Sequence, residues 1–500
     1  KKWKARRKQL LTRLKNANSY EQWHDADQHI PKLRAWKADP QSEEYDWESI
    51  EQTTAEMRQL WVERRQRDIQ YMRRLFGLMQ ARDVGRVTNP TLYGHLFSGT
   101  KRLIEDFVQE AVRGVDIIRN RGASGPDSHK QKNDWFKGRR KVHGKTALFV
   151  QGGSIFSLVH LGVIKALFQT GILPEIIVGT ETGALVATLI ASRTDEELDE
   201  LFNADGGSTN LEAFRARSAH RRRTWYGGAF NVCRRLFRAW NNESVLDRST
   251  LARCVRDNVG DMTFEEAFRR TGRKLCILLT SDAPSTPNCL SHITAPNVLI
   301  RSAAIASMVP DPDRCLDEVL EVNYQRRIAP WALNDESPEY RRRRRAKGWP
   351  GQKPAIYRVI EIHNITHFVM PQSRPYIVPF LIGTQSRAIH GTGRARATLE
   401  FGLSAIIVLL RIGLALLYRL RGLNTPGRFI RAEDAIPAKR RVKPFEIAPT
   451  MRWADFWRFW RNPTEADLQY WMRKGEQATW PVLPALHVRM DLEMALNRQF

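Results

Sequence analysis

Two short glycine turns in this chain are the places where residue type and spacing point to chemistry. The first follows the apolar run KTALFVQ at 145–151 and reads Gly152-Gly153-Ser154. Adjacent glycines after a buried strand let the N–H groups of Gly153 and Ser154 converge at the start of a helix. Convergent donors and the positive end of the helix dipole suit a developing oxyanion or a phosphate. The second turn, GTETG at 179–183, places Gly179 and Gly183 around a central Glu181. This is the G-x-x-x-G frame in which a strand-to-helix elbow exposes one side chain for nucleophilic attack. The first turn is not a nucleotide fingerprint. GGSIFS lacks the three-glycine spacing of a dinucleotide fingerprint, and no Gly-Lys-Ser/Thr follows it.

The elements that must position these turns are legible around them. KTALFVQ (145–151) and PEIIVGT (174–180) read as buried strands, and LVHLGVIKALFQTG (158–171) and GALVATLIASR (183–193) as helices. Strand, turn, helix, strand, turn, helix is the unit of an α/β parallel sheet sandwiched by helices. Further strands are expected at KLCILLT (274–280), VLI (298–300) and THFVMPQ (366–372). Before the sheet, residues 1–120 read as an all-helical N-terminal region, with Ile50, Met57, Leu60, Trp61, Met72, Leu75 and Phe76 on one apolar face. The polar, glycine-containing stretch 121–144 reads as a linker or surface loop. The α/β domain is expected over 145–385, with a helical region over 386–500 completing it or packing on it.

Taken in order, several segments resemble the patatin-like acylhydrolases, in particular the fungal and plant branch of triacylglycerol lipases found at lipid droplets. They are SYEQW, AWKADPQSEEYD and LYGHLFSGTKRLIEDFVQEAV in the helical region, HGKTALFVQGGSIFSLVHLGVIKAL and GILPEIIVGTETGAL in the core, then APNVLIRSAAIAS, HNITHFVMPQSRPYIVPF and GEQATWP. The resemblance implies a patatin-like fold and acyl-ester hydrolysis of triacylglycerol or phospholipid by a Ser–Asp dyad. It makes Gly152, Gly153 and Ser154 the oxyanion loop and Gly179 and Gly183 the elbow glycines. The nucleophile position then falls on Glu181.

The same resemblance places the dyad Asp in a D-G turn near 345–351, where the chain reads RAKGWPG and neither Gly348 nor Gly351 follows an Asp. Asp335 has no glycine after it. Asp205-Gly206-Gly207 has the right letters but reads as a turn too early in the chain. Ser157 replaces an expected glycine. Without a Ser and its partner the hydrolytic mechanism is removed, which implies a pseudoenzyme of the family. The alternative is an active triacylglycerol lipase or lysophospholipid acyltransferase working through non-standard residues. A buried His160 is expected to pack in the core or cap a polar contact rather than act as a base.

Composition bounds the partners. The 500 residues carry 80 Lys and Arg against 54 Asp and Glu, a formal net charge of +26, which favours anionic surfaces. No zinc-finger, RNP-like or helix-turn-helix pattern accompanies that charge, so no nucleic acid is expected. The 5 cysteines are odd in number and have no C-x-x-C pair, so they read as reduced thiols, and neither a metal nor a cofactor is implied. No signal-peptide pattern heads the residues present. FGLSAIIVLLRIGLALLY at 401–418 approaches a bilayer span but carries a central Arg411. It is read as a helix in a membrane interface or between domains, with Arg411, Arg419 and Arg421 at headgroups. The expected partner is therefore a neutral-lipid or phospholipid surface with anionic headgroups, on the cytoplasmic side of a lipid droplet or the endoplasmic reticulum.

Overall fold

The computed structural model describes residues 19–27, 31–63, 82–94, 99–120, 126–203, 248–279, 288–309, 318–331, 355–373, 444–449 and 465–498, together with Leu14, Ala17, Arg73, Phe76 and Asp455. Its centre is a six-stranded sheet in the order β4-β3-β2-β1-β7-β8. These strands are β1 (Lys145–Val150), β2 (Ile176–Gly179), β3 (Lys274–Leu278), β4 (Cys289–Ser291), β7 (Ile365–Pro371) and β8 (Pro444–Ile447). A hairpin of β5 (Leu320–Val322) and β6 (Ile328–Pro330) stands apart. All neighbours in the main sheet are parallel except β4, which runs antiparallel on the β3 edge.

A parallel sheet must be covered on both faces, and successive side chains deliver it to two cores. Leu148, Val150, Ile177, Leu275 and Ile277 enter one cluster, with the helices Val159–Gln169, Thr182–Ala191 and Ile300–Ser307. Their alternates Ala147, Phe149, Ile176, Val178, Cys276 and Leu278 enter the other, closed by Ile356 and Val359 of the helix Ala355–His363. The expected α/β sandwich is the observed fold.

The C-terminal helices belong to this assembly. Glu465–Thr479 lies so close to Val159–Gln169 that a Cβ on Gly162 would stand 1.8 Å from the Met472 carbonyl oxygen, and one on Gly475 would stand 2.2 Å from that of Val159. Glycine at both crossing positions lets the backbones touch. Lys165 and Glu476 form an ion pair at 3.0 Å beside the crossing. Trp471 and Trp480 are buried, with Trp471 edge-on to Phe156. Packing is thus the role of these two aromatics, whereas Trp453, Trp457 and Trp460 lie outside the described residues.

The N-terminal region is helical where it is described, over Tyr20–Asp27, Pro31–Ala38, Trp47–Glu63 and Arg102–Asn120. Arg102–Asn120 buries Ile104, Phe107, Val108, Ala111, Val115 and Ile118, a three-and-four spacing that makes one face. That face meets Ile50, Met57, Trp61 and Phe76, and also Ala485, Ala495 and Leu496 of the final helix Leu483–Asn497. Met72 and Leu75 lie outside the described residues.

Two expectations are corrected and one strand is added. Within the stretch read as a linker, Pro126–His143 is an α-helix, anchored by Phe136, which is fully buried. VLI does not form a strand: Val298 and Leu299 make isolated bridges to Glu321 and Thr263, and a helix begins at Ile300. β8, the edge strand beside β7, was not expected at all.

Candidate active site

Both glycine turns sit at the carboxyl ends of adjacent parallel strands, where an open α/β sheet presents its ligands. Glu181 immediately precedes the helix Thr182–Ala191 and has φ 51°, ψ −129°. A non-glycine residue held there costs about 1–3 kcal/mol, so its surroundings must enforce it. They do so at several points. Thr180 N–H donates to the Val150 carbonyl at 3.1 Å, and Glu181 N–H donates to Ser307 Oγ at 2.9 Å. Ser307 Oγ in turn donates to the Leu278 carbonyl at 2.8 Å, which fixes the elbow to the end of β3.

The elbow glycines are required by close approach. A Cβ on Gly179 would lie 2.7 Å from the Cα of Ala184, and one on Gly183 would lie 2.3 Å from the Val150 carbonyl oxygen. Any side chain at either position would push the helix away from the strand it caps. Position 181 is therefore held at a strained strand-to-helix turn, and its side chain is a carboxylate. That carboxylate folds against the first turn: a Cβ on Gly152 would meet Glu181 Oε2 at 2.3 Å. Among the described residues Glu181 forms no ion pair.

The glycine loop is tied to the elbow from its other side. Gly153 N–H donates to Thr182 Oγ1 at 3.0 Å, and Ser157 Oγ bonds the same hydroxyl at 2.7 Å. Ser157 is fully buried. The Gly153 N–H expected to face a cavity is thus committed inside the protein. After Gly153 the chain turns into a short 3-10 helix, Ser154–Leu158, which leads into Val159–Gln169. His160 is also fully buried, and its Nε2 lies 2.8 Å from the Gln151 carbonyl, which holds the strand end in place.

Sequence reasoning missed three contributors. Ser307 and Thr182 brace the elbow, and Ser373, two residues beyond β7, lies against Gly153. Thr182 stands within the turn itself, but Ser307 and Ser373 come from distant segments and carry no local signal. Gly348, Gly351, Asp335 and the Asp205-Gly206-Gly207 turn lie outside the described residues, as does 401–421.

Two thiols and a histidine are buried together across the sheet from the elbow's helices. Cys276 and Cys289 are free, buried thiols, with Cys276 Sγ 3.3 Å from His363 Nε2. The neighbouring Cys289 and then burial push the Cys276 thiol up, away from the reactive thiolate. Burial lowers His363 to about 4. Among the described residues no cluster of three or more His, Cys, Asp or Glu converges as a metal site, and no helix is long and apolar enough to cross a membrane.

Residues 1–141 match a domain of unknown function (DUF3336), and residues 148–309 match patatin-like phospholipase. Triacylglycerol lipase ptl1 of Schizosaccharomyces pombe is 30% identical over 521 residues, covering 98% of this chain and 85% of the lipase. Triacylglycerol lipase ptl3 of the same organism is 26% identical, covering 98% and 96%. A patatin-like phospholipase domain-containing protein of Meyerozyma guilliermondii is 27% identical, covering 99% and 68%.

Proposed function

We propose, from the premise that this chain belongs to the patatin-like phospholipase family, that it engages acyl-ester lipid without cleaving it through the Ser–Asp chemistry of that family. The observation that carries this reading is Glu181, a carboxylate on a backbone held at φ 51°, ψ −129° in the nucleophile position of the elbow. A carboxylate attacking an ester would form an anhydride and still require a placed base for its hydrolysis. Its negative charge also lies beside Gly152, where a tetrahedral oxyanion would need donors and not another anion. The Gly153 N–H, bound to Thr182 Oγ1, is already spent.

The strand-to-helix turn at Glu181 and the cores on both faces of the sheet are formed, which supports a folded scaffold around that position. Its place of action is a neutral-lipid or phospholipid surface, in keeping with relatives named as triacylglycerol lipases and with a net charge of +26. Localisation to the cytoplasmic face of lipid droplets or the endoplasmic reticulum follows from that reading. The test is hydrolysis of triolein and p-nitrophenyl butyrate by the purified chain. Turnover no faster than a heat-inactivated control supports it, and enzymatic turnover abolished by Glu181→Ala overturns it.

A further inference from the structure

A cavity of about 40 Å³ lies where the helix Arg102–Asn120, the end of Pro126–His143 and the final helix Leu483–Asn497 meet, outside the residues matched to patatin-like phospholipase. Phe107, Val108 and Leu492 are among its apolar walls, and Arg82, His143 and Arg489 are its polar lining. Arg82, Arg489 and Leu492 are partly exposed, which leaves a way in from solvent.

The polar groups of this lining are not equally satisfied. Arg82 donates to Glu493 Oε2 at 2.9 Å and to oxygens of Thr146, Thr366, Gly144 and Arg489, which engages its full set of N–H groups. Arg489 donates only to the Ala485 carbonyl at 3.0 Å and the Thr88 carbonyl at 2.7 Å, fewer acceptors than a guanidinium can use. Glu493 is taken up by Arg82 and Thr146, and among the described residues Arg489 has no carboxylate partner. Asp83 lies near enough to favour the charged form of Arg489, but it is exposed and its Oδ1 accepts the Thr88 N–H at 2.9 Å. His143 is 8% exposed, and its Nε2 has no hydrogen-bond partner. Burial and then Arg82 lower His143 to about 3, so the ring is neutral and Nε2 is free to carry the proton as a donor. An unmatched cation and an unpaired buried donor on one apolar-walled cavity both call for an acceptor.

We propose that this cavity binds one small monovalent anion, of the size of chloride or bromide, between Arg489 and His143 Nε2. Its room is close to the roughly 30 Å³ share of one water molecule, too little for a phosphate headgroup or an acyl chain. The apolar walls strengthen the attraction of Arg489 for an ion over a neutral water. A guanidinium is also weakly hydrated, so it loses little on exchanging water for a halide. The bound ion joins the N-terminal helical region to the final helix, and the inference is independent of the acyl-lipid reading above.

The test is thermal unfolding of the full chain at constant ionic strength, with gluconate exchanged for chloride or bromide. For a site half-filled at about 20 mM, raising chloride to about 200 mM should lift the midpoint by about 1–2 °C. His143→Phe and Arg489→Met should each remove most of that rise, whereas any response of arginines elsewhere is common to all three proteins. Equal midpoints of the unmodified chain in chloride and gluconate mean that the cavity holds water and overturn the proposal. A rise that both variants keep in full assigns it to other surfaces and overturns it too. Crystals of the unmodified chain grown in bromide decide the matter without any variant. An anomalous peak within hydrogen-bond reach of His143 Nε2 and the Arg489 guanidinium supports the site, and a cavity without one refutes it.

Discussion

Glu493 ties three regions of the described structure together, and its removal should destabilise all three. It projects from the final helix, is 4% exposed, and accepts Thr146 N–H of β1 at 2.7 Å and Arg82 Nη2 at 2.9 Å. Arg82 also donates to Thr366 Oγ1 of β7, to the Arg489 carbonyl and to Thr146 Oγ1. One buried cluster thus joins the N-terminal region, two adjacent strands and the C-terminus. Breaking a buried pair from one side costs about 3–5 kcal/mol, because the other charge stays buried. Arg82 keeps several carbonyl and hydroxyl acceptors, so Glu493→Leu is placed near the lower bound, about 3 kcal/mol. Glu493→Gln retains an oxygen for Thr146 and should lose about 2 kcal/mol, within the cost of a lost charged hydrogen bond. Arg82→Met with Glu493→Leu removes both charges and should cost clearly less than the sum of the single changes. Urea unfolding read as a change in midpoint at constant slope compares the unmodified chain with the three single variants, Arg82→Met included, and with the double variant. A cost below about 1 kcal/mol for Glu493→Leu, or strict additivity in the double variant, would refute this account of the cluster.

Gly475→Ala should lower stability by about 2 kcal/mol, overpacking offset in part by helix propensity, since its Cβ would meet the Val159 carbonyl at 2.2 Å. Gly138→Ala is the control: nothing lies within 4 Å of that position, and thermal melting should show a gain approaching 1 kcal/mol. Acid should destabilise the fold early. Burial, then Arg82, lowers His143 to about 3, and burial with Arg82 and Arg489 lowers His367 well below its usual value. Both bind protons below about pH 6.5 only when unfolded, so stability is full above that pH and falls by roughly 4 kcal/mol for the pair by pH 5. Unfolding midpoints that stay flat from pH 7 to 5 would contradict this. Flotation with acidic liposomes should be reduced but not abolished by 0.5 M salt and weakened by Leu409→Asp with Leu416→Asp, as the interfacial reading of 401–421 requires. Unchanged binding by the folded double variant would end that reading.

The α/β core was legible because its signals are local. In 145–191 each strand is a short run of buried apolar residues, each turn has glycines, and each helix is a longer apolar run buried on nearly every side. Pro126–His143 was misread since its polar composition resembles a linker, although Pro126 is a favoured helix start and Trp135-Phe136 supply an anchor. VLI was misread because three apolar residues fit a strand or the buried start of a helix equally well. PFEI, as β8, is only four residues on an edge and owes its conformation to β7. At the site, the glycines announced the turns. The braces Ser307 and Ser373 did not, because single serines acquire meaning only from the segments that tertiary folding brings beside them.

The central claim is that position 181 holds the elbow geometry without a competent nucleophile. It is tested most directly by labelling the purified full chain with a fluorophosphonate and mapping any adduct by mass spectrometry. No stoichiometric adduct is expected in the unmodified protein. Glu181→Ser should also stay unlabelled, because Gly153 N–H remains bound to Thr182 Oγ1 and no D-G turn is present near 345–351 to activate the hydroxyl. Stoichiometric labelling of any residue in 150–190 of the unmodified chain, or of Ser373, would contradict the account.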